Sequence, residues 1–94
     1  MLQTAQMGLA RMALTDARSR LAGLLLDLSR RHGKPTAAGM TCPLSLSRAE
    51  LGAMIGLTPE TTMRLLSEFR GEGIVLTDGR TLTLTQPDRL EGLA

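Results

Sequence analysis

Glu60 and Arg64 stand one helical turn apart in the stretch Thr58-Pro59-Glu60-Thr61-Thr62-Met63-Arg64. On the outward side of a helix this pair has two chemistries open to it. Arginine can donate to O6 and N7 of guanine while glutamate accepts from N4 of cytosine, which is readout of base edges in a major groove. Alternatively the two side chains pair with each other, an i, i+4 surface contact worth about 0.2–0.5 kcal/mol. Thr61 and Met63 face the same way, and an apolar Met63 can touch a thymine methyl. A second set suits phosphate: the hydroxyls of Ser47 and Thr58 and the guanidinium groups of Arg48 and Arg80. For these the plain alternatives are helix capping and solvation. Catalysis finds little support, because His32 is the one histidine and Cys42 the one cysteine. His32 falls in the last turn of a helix with no carboxylate or second ligand placed beside it, and one thiol forms no internal disulfide and holds neither zinc nor an iron–sulfur cluster. No catalytic residue, metal ligand or cofactor site is assigned, and no enzyme is expected.

The groups at 47–64 need two short helices to present them. Ser47 followed by Glu50 is a capping box, so a helix starts there, with Leu51, Met54 and Ile55 on one face. Gly56 permits a left-handed turn and Leu57 tucks inward. Thr58 then caps a second helix and Pro59 sits at its first position, where no hydrogen bond is lost. Thr62, Leu65, Leu66 and Phe69 form its apolar stripe, which leaves Glu60, Thr61, Met63, Arg64 and Ser67 outward. Two capped helices across a glycine turn make a helix-turn-helix, whose second helix is the one that enters a DNA groove.

The rest of the chain frames this unit. Leu2, Ala5, Leu9 and Met12 make a two-heptad seam that serves either a partner helix or the domain itself. Thr15 or Asp16 is expected to cap a further helix with Ala17, Leu21, Leu24, Leu25 and Leu28 inward and Arg18, Asp27, Arg30 and Arg31 in water. Gly33 and Pro35 stop it. Lys34 to Gly39 reads as a loop, and Met40, Cys42, Leu44 and Leu46 alternate as a short strand that Pro43 assigns to an edge. Gly71 and Gly73 end the second helix of the motif. Ile74–Thr77 and Arg80–Leu84 then read as a hairpin about an Asp78-Gly79 turn, and Pro87, Leu90 and Leu93 as a closing helix. The fold class is mainly α with a small antiparallel β wing, a winged helix-turn-helix.

The 94 residues, 43% of them hydrophobic, suffice for one small domain. The chain has one Phe and no Tyr or Trp, so it lacks the stacking platforms that single-stranded nucleic acid requires. Its net charge of +2 is unevenly spread. Residues 1–46 hold six cations against two carboxylates, whereas 47–80 hold four arginines against five carboxylates. Duplex affinity would therefore rest on a few placed contacts rather than on a basic cluster. No membrane-length apolar run or export signal is visible, and a reduced, cytoplasmic setting is expected.

These residues resemble the winged-helix DNA-binding half of the Crp/Fnr transcription regulators over nearly the whole chain. Leu14–Ala22 is similar to the family's hinge and the first helix of its DNA-binding domain, and Leu46–Gly52 to its first helix-turn-helix element. Thr58–Leu66 matches its recognition-helix pattern, and Asp78-Gly79-Arg80 its wing tip. The resemblance implies that residues 1–14 end a dimerisation helix and hinge and that 15–94 form the DNA-binding domain. It also implies that any effector binds a preceding barrel absent from this chain. Implied partners are double-stranded DNA with a TGA-like half-site, a second copy in the intact regulator, and RNA polymerase. Pro59 departs from an arginine and Met63 from a small residue found in some members. The competing reading is a winged-helix protein–protein interaction module without DNA binding, which the acidic balance of 47–80 favours.

Overall fold

A computed structural model describes the backbone of residues 2–94 and the side chains of residues 16–94. Helix α1 spans Leu2–His32. The expected restart at Thr15 or Asp16 does not occur: the helix runs through, and the Asp16 carboxylate pairs with Arg20 Nε at 2.9 Å, one turn on, instead of capping a backbone N–H. The seam of Leu2, Ala5, Leu9 and Met12 lies outside the described side chains. Arg30, Arg31 and His32 fill the last turn, where cations oppose the helix dipole. The inward face is broader than the spacing suggested, because Ala22 and Leu26 are buried beside Ala17, Leu21 and Leu25, while Leu24 and Leu28 are only partly covered.

After α1 come β1 (Lys34–Thr36) and β2 (Gly39–Pro43), then α2 (Arg48–Met54) and α3 (Pro59–Gly71). The hairpin β3 (Val75–Asp78) and β4 (Thr81–Leu84) follows, with α4 (Pro87–Leu93) last. The strands form one antiparallel sheet in the order β1-β2-β4-β3. Two expectations fail here. Lys34–Thr36 is a strand, not a loop, and β2 is interior, not an edge. Pro43 is tolerated because β1 pairs only as far as Thr41, so at Pro43 the strand has β4 as its sole neighbour, through Thr81.

Phe69, Leu21, Leu25, Leu65, Ile74, Leu82, Leu84 and Leu90 are the large side chains at the centre of the core, each almost completely buried. Burial of one such side chain is worth about 1.5–3 kcal/mol. The thiol of Cys42 lies within this core, 3.7 Å from the Leu28 carbonyl, and burial pushes its pKa up, away from the reactive thiolate. In α2 the inward residues are Leu51 and Gly52, and Met54 is 60% exposed rather than inward. The reason is close helix packing. A Cβ at Gly52 would collide with the Thr62 side chain, so α2 meets α3 through its backbone and the contact face is rotated away from Met54.

Candidate nucleic-acid interface

Both helices of the motif begin with the expected caps. Ser47 Oγ accepts the Glu50 N–H at 3.1 Å, and a Glu50 carboxylate oxygen accepts the Ser47 N–H at 3.1 Å. The Ser47 backbone N–H first, then the Ser47 side chain, with Arg80 contributing its field, hold the Glu50 carboxyl below the usual carboxylate range. Thr58 Oγ1 accepts the Thr61 N–H at 3.2 Å and donates to Thr61 Oγ1 at 3.0 Å. Buried Thr62 donates its hydroxyl to the Thr58 carbonyl at 2.8 Å, so its own polar atom is paired under the helix. Between the helices Gly56 takes φ +76°, and the Leu57 N–H returns to the Gly52 carbonyl at 2.9 Å.

The apolar stripe of α3 is Thr62, Leu65, Leu66 and Phe69, all buried. Glu60, Met63 and Arg64 consequently face solvent, and Thr61 is half-buried with its hydroxyl engaged by the cap. Among the described residues neither Glu60 nor Arg64 has an ion-pair partner, so the i, i+4 surface pair is not formed. Met63 is 42% exposed, an apolar side chain on the same ridge as the two charges.

Beside this ridge runs an open groove of about 430 Å³ between the wing tip and the start of α2, lined in part by Ser47, Arg48, Met63 and Arg80. Three of the four phosphate candidates therefore converge, and Thr58 stands apart at the head of α3. Arg80 is not in the returning strand as the sequence suggested. Asp78 pairs with Thr81, which makes Gly79-Arg80 the two-residue turn. Gly79 has φ +59° and Arg80 does not have positive φ, the pattern of a type II′ hairpin turn. Arg80 Nη1 donates to the Ser45 carbonyl at 3.3 Å, its own carbonyl accepts the Leu44 N–H at 2.6 Å, and Arg48 Nη2 donates to the Gly79 carbonyl at 3.4 Å. The two arginines thus tie the wing tip to the segment leading into α2 while their charge lines the groove.

Local patterns missed two residues that seat the motif. Arg20 Nη1 donates to the Ile55 carbonyl at 2.8 Å and closes the end of α2. Arg18, expected in water, lies with its guanidinium carbon 5.0 Å from the centre of the Phe69 ring. Both contacts span more than thirty residues of sequence, and no spacing rule reaches that far. Gly52 did carry a signal, as a glycine inside a helical pattern.

The model of the Crp-like helix-turn-helix domain matches residues 19–93. The fumarate and nitrate reduction regulatory protein of Salmonella typhimurium is 34% identical over 79 residues, which cover 84% of this chain and 32% of that protein. The chain thus spans about a third of the length of this curated relative. Two solved structures superpose closely. The imidazole-bound CO-dependent transcription factor CooA of Carboxydothermus hydrogenoformans gives a TM-score of 0.81 at 29% identity, covering 98% of this chain and 43% of that one. The catabolite activator protein of Thermus thermophilus gives 0.78 at 29% identity, covering 99% and 40%. These relatives are regulators, not enzymes. The chain belongs to the family of Crp-like helix-turn-helix domains, the DNA-binding domains of Crp/Fnr-type transcription regulators.

Proposed function

We propose that this domain recognises a specific duplex sequence with α3 in the major groove, where Glu60 and Arg64 read base edges and Thr61 and Met63 contact them from the same ridge. The observation that carries the reading is the exposure of Glu60 and Arg64, neither with an ion-pair partner among the described residues, at the head of a helix capped by Thr58. Residues in the first turns of such a helix reach furthest into the groove. Ser47, Arg48, Thr58 and Arg80 flank them as backbone contacts, which position the domain without specifying sequence. The negative balance of residues 47–80 is compatible with this, because three of that segment's four arginines, Arg48, Arg64 and Arg80, lie on or beside the ridge. In the intact regulator two copies bind a palindrome, with residues 1–14 belonging to the helix that joins them, and RNA polymerase is a further partner.

Selection from a random duplex pool tests the assignment. Arg64→Ala costs about 1–3 kcal/mol of binding and relaxes preference at a guanine, and Glu60→Ala relaxes it at the neighbouring cytosine. If both variants select the parental consensus, the pair does not read bases. If the intact dimer retains no duplex at low salt, the competing reading, a protein-interaction module, is favoured instead.

A further inference from the structure

Arg18 projects from α1 onto the end of α3 farthest from the reading residues. Its Nη1 donates to Glu68 at 3.0 Å and its Nη2 to Glu72 at 3.2 Å, while the guanidinium lies over the Phe69 ring. Glu72 is shared with α4, because Arg89 Nη1 donates to the Glu72 carbonyl at 3.1 Å and its Nη2 stands 4.0 Å from the Glu72 carboxylate. One guanidinium therefore joins α1 to α3 and, through Glu72, to α4. Two residues along α1, Arg20 grips the end of α2. Both helices of the motif are thus held by arginines from one turn of α1.

An isolated exposed ion pair adds little stability. A planar fork that meets two carboxylates and covers a ring is different in kind, since it fixes direction as well as distance. Glu68 and Glu60 are eight residues apart, about 12 Å along a helix, so a small tilt at the held end displaces the reading end across the floor of a groove. We propose that Arg18 is a positioning residue for duplex recognition: it sets the tilt of α3 against α1 and thereby the register in which Glu60, Met63 and Arg64 meet the bases. The inference rests on the DNA-binding reading above.

The chain has a single phenylalanine, so replacing it biosynthetically with para-fluorophenylalanine gives one fluorine resonance, at Phe69. Arg18→Ala shifts that resonance in the DNA-free protein. It lowers affinity for the duplex selected by the unaltered chain by about three- to tenfold and leaves affinity for an unrelated duplex unchanged. Arg18→Lys, which keeps the charge but loses the fork, falls between, and the double variant Glu68→Gln with Glu72→Gln reproduces Arg18→Ala. An unmoved fluorine signal overturns the proposal, as does a moved signal with no loss on the selected duplex. Equal loss on both duplexes also overturns it, because Arg18 would then be a phosphate contact. If the unaltered chain binds no duplex, the DNA-binding reading is what fails, and the positioning role fails with it even where the fluorine signal moves.

Discussion

At its N-terminal end α3 carries Glu60 and Arg64 in solvent with no ion-pair partner among the described residues; at its C-terminal end every charge is engaged. Glu68 and Glu72 bind Arg18, Glu72 also meets Arg89, and Arg70 donates to Thr77 at 3.3 Å. Helix propensity and length do not explain the contrast, since both ends belong to one thirteen-residue helix. The difference lies in which neighbours the fold supplies. α1, β3 and α4 close around one end, whereas the other end is turned outward by the backbone contact of Gly52 with Thr62. A helix held in this way keeps its direction while leaving charge available to a partner.

The contrast breaks most severely at Phe69, which is completely buried under Arg18. Phe69→Ala should cost about 3–5 kcal/mol of stability, to be read from urea unfolding, and should abolish duplex binding because the held end is lost. Gly52→Ala acts from beneath the middle of the helix. Its new Cβ meets Thr62, and overpacking of this kind costs about 1–3 kcal/mol; thermal melting checks it, and a neutral result would show that α2 can slide on α3. Thr58→Ala removes the cap at the reading end and should cost about 1 kcal/mol. Hydrogen exchange should localise that loss to the Thr61 amide and the first turn, with the amides around Phe69 still protected.

The smallest effect separates the starts of the two helices by pH. Because the folded pKa of Glu50 lies below its ordinary value of 4.5, its contribution is fully present above that value and is lost as pH falls through the lower folded pKa. Glu50→Gln keeps a capping-box acceptor without the titration, so its stability should decline less on acidification than that of the unaltered chain. Parallel acid-limb melting curves for the two proteins would refute the assignment. Thr58 caps α3 with a hydroxyl, a group that does not titrate in this range.

What the sequence disclosed was local. The Ser47–Glu50 capping box, the Thr58-Pro59 start, the Gly56 turn and the buried stripe of α3 are all written within four or so residues of where they act, and each is present. Features that depend on distant chain were not legible. β1 is three exposed residues with no alternation, and it is defined only by pairing with β2. The placing of Arg18 on Phe69 needs α1 and α3 already docked. The wing turn came out one residue late, at Gly79-Arg80, because both Asp-Gly and Gly-X are favoured hairpin pairs and the register with β4 decides between them. Among the candidate contacts, Glu60, Met63 and Arg64 were visible as the outward side of a periodic helix, whereas the internal bonds of Arg48 and Arg80 were not.

β1 also terminates the sheet. An outermost strand is a template on which another polypeptide can add itself, and proteins blunt such borders with short strands, lysine and proline. This one combines all three: Lys34–Thr36 is a single short segment, with Lys34 at its start and Pro35, which has no N–H to offer, at its centre. The sheet is therefore non-propagating on this side. Molecules crowded together, in concentrated solution or along a nucleic acid, have no continuous ladder here to extend. Contact across this border is left to side chains, which bind and release, rather than to backbone pairing that nucleates fibres.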